Sequence, residues 1–225
     1  MSKAKHSESE LVELIHNYNI DPTQNIIYLF GDEAYVDPEV GTEPGVEYIM
    51  ANTLVRNITY LASRNSNPIV IHMKTCGGDW KEGMAIYDAI KNCPNKVIVI
   101  SYTHARSMSS LILQAADLRV VMPYSTFMFH YGTNGIDGTS TLFQTEAEQD
   151  RISKDQMLSI YIESMRESKE FQGWSTKKLR SWLVRKIERK EDVHLNAKDA
   201  VKYGFADLII GEEDLTAFNV QDYLE

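Results

Sequence analysis

PIVIHMKTCGGDWKEGMAIYDAIKNCPNKVIVI, residues 68–100, places a short apolar run, a helical run and a second apolar run in succession. Residues 68–73 bring Ile69, Val70, Ile71 and Met73 together without sustained alternation, the pattern of a strand buried on both faces. Gly77 and Gly78 then interrupt the chain. Over residues 80–92, Met84, Ile86, Tyr87 and Ile90 recur at helical spacing, and residues 97–100 return to strand.

The same alternation extends both ways. Upstream, residues 26–30 read as a strand stopped by Gly31. Gly41, Pro44 and Gly45 mark a loop, and residues 46–63 carry Ile49, Met50, Leu54, Ile58 and Leu61 at helical spacing. Downstream, residues 107–116 read as helix, 118–122 as strand, and the run Ser125 to Phe129 ends at His130. Strands alternating with helices of about ten to fifteen residues predict stacked βαβ crossovers and the α/β class.

Beyond His130 the glycines Gly132, Gly135 and Gly138 punctuate an extended segment, and polar helices follow over residues 141–168 and 176–189. The longer helix is polar all round, which predicts an arm that packs on another subunit rather than a core helix. A short helix around residues 11–18 precedes the first strand. The expected organisation is an N-terminal segment 1–25, one domain 26–210 with its helical arm region 141–190, and a tail 211–225.

A chain of 225 residues with 43% apolar content has material for one sizeable core, so one domain is expected. A net charge of -9 provides no basic footprint for nucleic acid. The densest basic run, residues 177–190, is followed by acids and reads as a solvated helix face. Cys76 and Cys93 make neither a disulfide framework nor a metal spacing, and the six histidines are unpaired with other ligands, so neither metal nor cofactor is expected. No run approaches the ~20 apolar residues of a membrane span. The expectation is a cytoplasmic protein.

Three segments bear residue types that acyl transfer needs. Gly77 and Gly78 end a strand and open a helix, where amide N–H groups suit a developing oxyanion; a plain tight turn is the other reading. Ser107 follows a strand and begins a helix, as a nucleophile or as an ordinary N-cap. His130 ends a strand, and histidine is the side chain suited to take the serine proton. Successive βα crossovers place Gly78 and Ser107 at neighbouring strand ends, where α/β sites form. An orienting carboxylate completes such a set, and Asp192 and Asp137 are both candidates.

Taken together, these segments resemble the proteolytic subunit of the Clp protease, within the wider ClpP/crotonase-like group, over roughly residues 26–210. Gly77-Gly78 with Gly83-Met84-Ala85-Ile86-Tyr87-Asp88 is similar to the family's double-glycine segment, and Ala105-Arg106-Ser107-Met108 to its nucleophile segment. Met122-Pro123-Tyr124-Ser125 with Phe127-Met128-Phe129-His130 resembles the histidine segment, and Asp192 with Ala197 and residues 200–207 the C-terminal one.

The resemblance implies Ser107 as nucleophile, His130 as general base and then acid, and Asp192 rather than Asp137 as orienting carboxylate. It implies the amides of Gly78 and Met108 as the oxyanion hole. Gly77, Asp79, Asn134, Gly135 and Ile136 would then line the path of an extended peptide. It also implies a homo-oligomer of two stacked seven-membered rings, a ClpP/crotonase-like spiral with a protruding helical arm, unfolded polypeptides as substrates and an ATP-driven Clp unfoldase as partner. A non-catalytic scaffold subunit in a mixed ring and a crotonase-like acyl-CoA enzyme are the alternatives.

Several positions depart from the family pattern. Thr75-Cys76 stands where Ser-Pro is usual, and Ser109 where a glycine follows the nucleophile's Met. Lys190-Glu191 exchanges the charges of an acid-Arg pair that joins the two rings, which implies a contact of reversed polarity. His72 and Asn92 replace aromatic positions of the unfoldase-docking pockets and imply altered docking. The link 32–45 is longer than the family's.

Overall fold

The computed structural model describes residues 6–31 and 43–211. Its elements run α1 (Glu8–Tyr18), β1 (Ile20–Asp21), β2 (Ile26–Phe30), α2 (Tyr48–Arg64), β3 (Ile69–Thr75), α3 (Trp80–Lys91), β4 (Val97–Arg106) and α4 (Met108–Gln114). They continue β5 (Leu118–Val121), β6 (Thr126–Phe129), α5 (Ser140–Met165), α6 (Thr176–Lys190), β7 (Val193–Asn196), α7 (Ala197–Lys202) and β8 (Leu208–Ile209). Most of the link 32–45, the tail from residue 212 and residues 1–5 lie outside the described residues.

The chain is α/β, as its apolar alternation implies. β2, β3, β4, β5 and β8 lie side by side and parallel, with β1 antiparallel at the edge. Helices cover one face. α2 lays Met50, Leu54, Ile58 and Leu61 against the sheet at the spacing of one helical stripe. Full burial of a side chain such as Leu61 stabilises the fold by about 1.5–3 kcal/mol. α3 and α4 extend this main core, whereas the opposite face holds a smaller cluster of Val70, Ile98, Ile100 and Val120.

β4 is longer than its apolar run. The sequence reading ends the strand at Ile100 and takes the following residues as a link, but the strand continues to Arg106. Its first half pairs with β3 and β5; its last residues, His104 to Arg106, pair with β6, which in turn pairs antiparallel with β7. Between the halves Thr103 adopts φ 52°, and beyond this bend Ala105 still pairs with Thr75 of β3, after a shift in register, while the other edge of β4 passes from β5 to β6. The apolar pattern stops because Tyr102 and Thr103 have left the enclosed core.

α5 corrects a second expectation. Its first part is exposed, but Met157, Leu158, Tyr161, Ile162 and Met165 are buried. The helix is polar on average because it joins a solvated half to a core half. α6 buries Leu179, Leu183 and Ile187 and turns its basic residues outward, then closes at Glu191, which is exposed at φ 59°.

On the helix-free face, His72 stacks on Tyr28 with ring centroids 5.4 Å apart, and its Nδ1 lies 2.9 Å from the Tyr102 hydroxyl. Burial holds His72 below the usual imidazole range. Asn92 is exposed and returns its side-chain amide to the carbonyl of Asp88. Among the described residues no helix is long and apolar enough to cross a membrane.

Arg119 on β5 ties the far edge together. Its guanidinium, 6% exposed, bonds both carboxylate oxygens of Asp207, the carboxylate of Glu167 and the carbonyl of Gly204. Removing Asp207 leaves the buried guanidinium with only the exposed Glu167 as counter-charge. Asp207→Ala should therefore destabilise the chain by about 3–5 kcal/mol, read as a shift in the denaturant midpoint, whereas Glu163→Ala on the exposed surface nearby should shift it little.

Candidate active site

The ends of β3 and β4 approach so closely that a side chain between them would not fit. A Cβ on Gly77 would stand 2.7 Å from both the Arg106 carbonyl and the Ser107 Cβ, and Gly77 itself sits at φ +98°. A neighbouring segment fixes the turn that follows. Val46 N–H donates to the Gly77 carbonyl at 2.6 Å, and Asp79 N–H donates to the Val46 carbonyl at 2.9 Å. In a parallel bridge of this kind the intervening residue directs its own N–H to the other side. The Gly78 amide therefore points away from Val46.

Ser107 stands at the tip of β4 at φ 53°, ψ −128°, and α4 starts at the next residue. Its hydroxyl does not cap the helix, so of the two readings of the sequence the ordinary N-cap falls away. Oγ lies 2.8 Å from His130 Nε2 instead, and His130 Nδ1 lies 2.9 Å from Asp192 Oδ1. A carboxylate only accepts, so Nδ1 carries the ring proton and Nε2 accepts from the serine hydroxyl. β4, β6 and β7 position the three groups: Ser107 N–H donates to Met128 O on β6, and β6 pairs with β7 directly after Asp192. β7 lies between Asp192 and α7 and supplies this register. The ring faces Asp192, not Asp137.

Ser109, the residue where glycine was expected, has a bonding role. Its buried hydroxyl accepts from Arg106 N–H at 2.9 Å and lies 2.9 Å from the Thr75 carbonyl and 2.7 Å from that of Arg106. It thereby links the ends of β3 and β4. Gly83 on α3 leaves room for the Met108 side chain, since a Cβ there would sit 2.0 Å from Met108 Cγ.

A cavity of about 600 Å³ opens beside Ser107 and His130. Met108, Leu111, Met157, Tyr161, Trp80 and Phe143 make much of its wall apolar, and Asn134, Gly135, Ile136, Gly78 and Asp79 also line it. The segment carrying Asn134 is moored to α5: Asn134 Nδ2 donates to Asp150 Oδ1 at 2.5 Å, and Lys154 Nζ donates to Asp150 Oδ2 at 2.5 Å while standing 5.4 Å over the Tyr131 ring. Residues 130–139 form no strand. Among the described residues no group of His, Cys, Asp and Glu is arranged to hold a metal ion.

Sequence reasoning missed Val46, Ser109 and Ser110 around this site, and Tyr161. Adjacent serines opening an apolar helix were a usable signal for Ser109 and Ser110. Nothing local links Tyr161 to them.

A family profile described as Clp protease matches residues 32–213. The chain is 32% identical over 193 residues to ATP-dependent Clp protease proteolytic subunit 2 of Prochlorococcus marinus, covering 79% of this chain and 87% of that one. It is 30% identical over 176 residues to the ATP-dependent Clp protease proteolytic subunit of Deinococcus radiodurans (77% and 79% covered). With ATP-dependent Clp protease proteolytic subunit 2 of Pseudomonas aeruginosa it shares 29% over 175 residues (76% and 81%).

The Gly77 contacts are with two backbone atoms and with the Ser107 Cβ, which the backbone fixes, so none can swing aside. Gly77→Ala should lower stability by about 1–3 kcal/mol, measured by chemical denaturation. A wild-type midpoint would contradict the packing described.

Proposed function

The chain belongs to the Clp protease family, and from that footing we propose that it is a serine endopeptidase cutting unfolded polypeptides. The observation that carries the reading is the continuous line from Ser107 Oγ through His130 to Asp192, with bonds of 2.8 and 2.9 Å. Ser107 Oγ attacks the scissile carbonyl carbon as His130 Nε2 takes its proton. The resulting oxyanion lies between the N–H groups of Gly78 and Met108. Collapse expels the amine, protonated by His130, and leaves an acyl-enzyme on Ser107. Water, deprotonated by the same imidazole, attacks the ester and releases the acid. Asp192 keeps the ring proton on Nδ1 and stabilises the imidazolium.

An extended chain pairs with the backbone of Asn134, Gly135 and Ile136 on one side and passes Gly77 and Asp79 on the other. This strand addition reads main chain rather than sequence, which suits unfolded substrates. The subunit works in the cytoplasm as a homo-oligomer of stacked seven-membered rings, fed by an ATP-driven Clp unfoldase. Glu191, exposed at the end of α6, meets a basic residue across the ring contact. The partly polar His72–Tyr102 pair weakens the grip of an ordinary Clp unfoldase.

A fluorophosphonate should label Ser107, and Ser107→Ala should abolish labelling and lower peptide hydrolysis by about 10⁴-fold or more with the native mass unchanged. An unlabelled wild-type protein would favour a scaffold subunit or an acyl-CoA enzyme. Binding of an ordinary Clp unfoldase, followed by fluorescence anisotropy, should be weak and should tighten in His72→Tyr; tight binding by the wild type would contradict the docking reading.

A further inference from the structure

Resting on the serine-peptidase reading, we propose that Ser110 and Tyr161 are positioning residues that aim the Met108 N–H into the oxyanion hole. The Ser107 carbonyl and the Met108 N–H belong to one planar trans peptide, so they point in opposite directions. Whatever holds the carbonyl therefore aims the amide. Two bonds hold it, both from Ser110: its N–H at 3.0 Å and its hydroxyl at 2.6 Å.

The same hydroxyl lies 2.6 Å from the Tyr161 hydroxyl. A carbonyl only accepts, so the single Ser110 proton goes to Ser107 O, and Tyr161 must donate to Ser110 Oγ. Tyr161 is wholly buried in a cage of Phe127, Phe129 and Phe205. Burial raises its phenol well above the usual range, so the donor proton stays in place. Three oxygens thus form a directed line from the core half of α5 to the peptide after the nucleophile. Gly78 is served in parallel fashion, by Val46 N–H on the Gly77 carbonyl. Each oxyanion donor is aimed through the carbonyl of its own peptide.

Ser107 needs this restraint because its φ of 53° is uncommon for a residue with a side chain. Helix α4 alone would supply only the Ser110 N–H. The hydroxyl bond adds a second constraint, and Tyr161 orients the hydroxyl.

The test uses the full chain, a fluorogenic tripeptide, and a peptide aldehyde whose hemiacetal oxygen occupies the oxyanion position. Ser110→Ala should lower kcat about 10–100-fold with KM within about twofold, weaken the aldehyde relative to the matching peptide acid, and leave the pH dependence and particle mass unmoved. Tyr161→Phe, which keeps the aromatic cage, should lower kcat by about 3–10-fold. The double variant should fall no further than Ser110→Ala, because the hydroxyls act in series. A labelled wild type together with a Ser110→Ala protein at full kcat overturns the positioning role alone. So does a loss of rate with an unchanged aldehyde-to-acid ratio, since general damage would give that. Should Ser110→Ala fail to fold, Tyr161→Phe at full kcat overturns the proposal. A wild type that does not label overturns the peptidase reading and this inference with it.

Discussion

Everything around Ser107 depends on the absence of a side chain at residue 77. β3 and β4 end within contact of each other, and the gap is already filled: the Arg106 carbonyl, the Ser107 Cβ and the Met108 amide would all lie within 2.9 Å of a Cβ added there. Interiors are packed too tightly to yield such space by small shifts. The glycine therefore lets two neighbouring turns lie against each other, and the Gly78 and Met108 amides come from those two turns.

Closeness would be of little use without direction, and direction comes from hydrogen bonds to carbonyls. Val46 holds that of Gly77, Ser110 that of Ser107, and Ser109 lies against those of Thr75 and Arg106. These bonds are wholly or partly buried, where an unmade partner would be expensive, so each peptide plane has one favoured orientation. α5 contributes from both ends of its solvent-to-core gradient. Asp150 and Lys154 moor Asn134 and stand by Tyr131, while Tyr161 reaches the nucleophile turn. A helix first read as an arm for another subunit thus packs behind the site of its own chain.

The alternation of apolar runs was legible because burial between helices and sheet demands it, and β2, β3, α2, α3 and β5 follow from that alone. The second half of β4 was not, since exposed Thr103 and half-buried Tyr102, His104 and Arg106 interrupt the apolar run around the single buried Ala105. β1, β7 and β8 escaped for a related reason. They are short, and β7 alternates Val193 and Leu195 inward with His194 and Asn196 outward over only four residues. The mixed character of α5 was hidden because averaging over the helix cancels its two halves.

For the site, residue types in order were enough to bring Ser107, His130 and Asp192 forward, because few side chains are suited to those roles. Reading the residues alone left Asp192 and Asp137 equal, and resemblance rather than spacing separated them. Sequence by itself determined the layered α/β arrangement and which residues could do chemistry, since burial and side-chain reactivity are local properties written residue by residue. Only the tertiary structure decided that Nδ1 of His130 meets Asp192, that Ser109 joins two strand ends and that Tyr161 stands behind the nucleophile turn. Those are distances between residues remote in the chain, set by strand register and helix packing, and no local pattern encodes them.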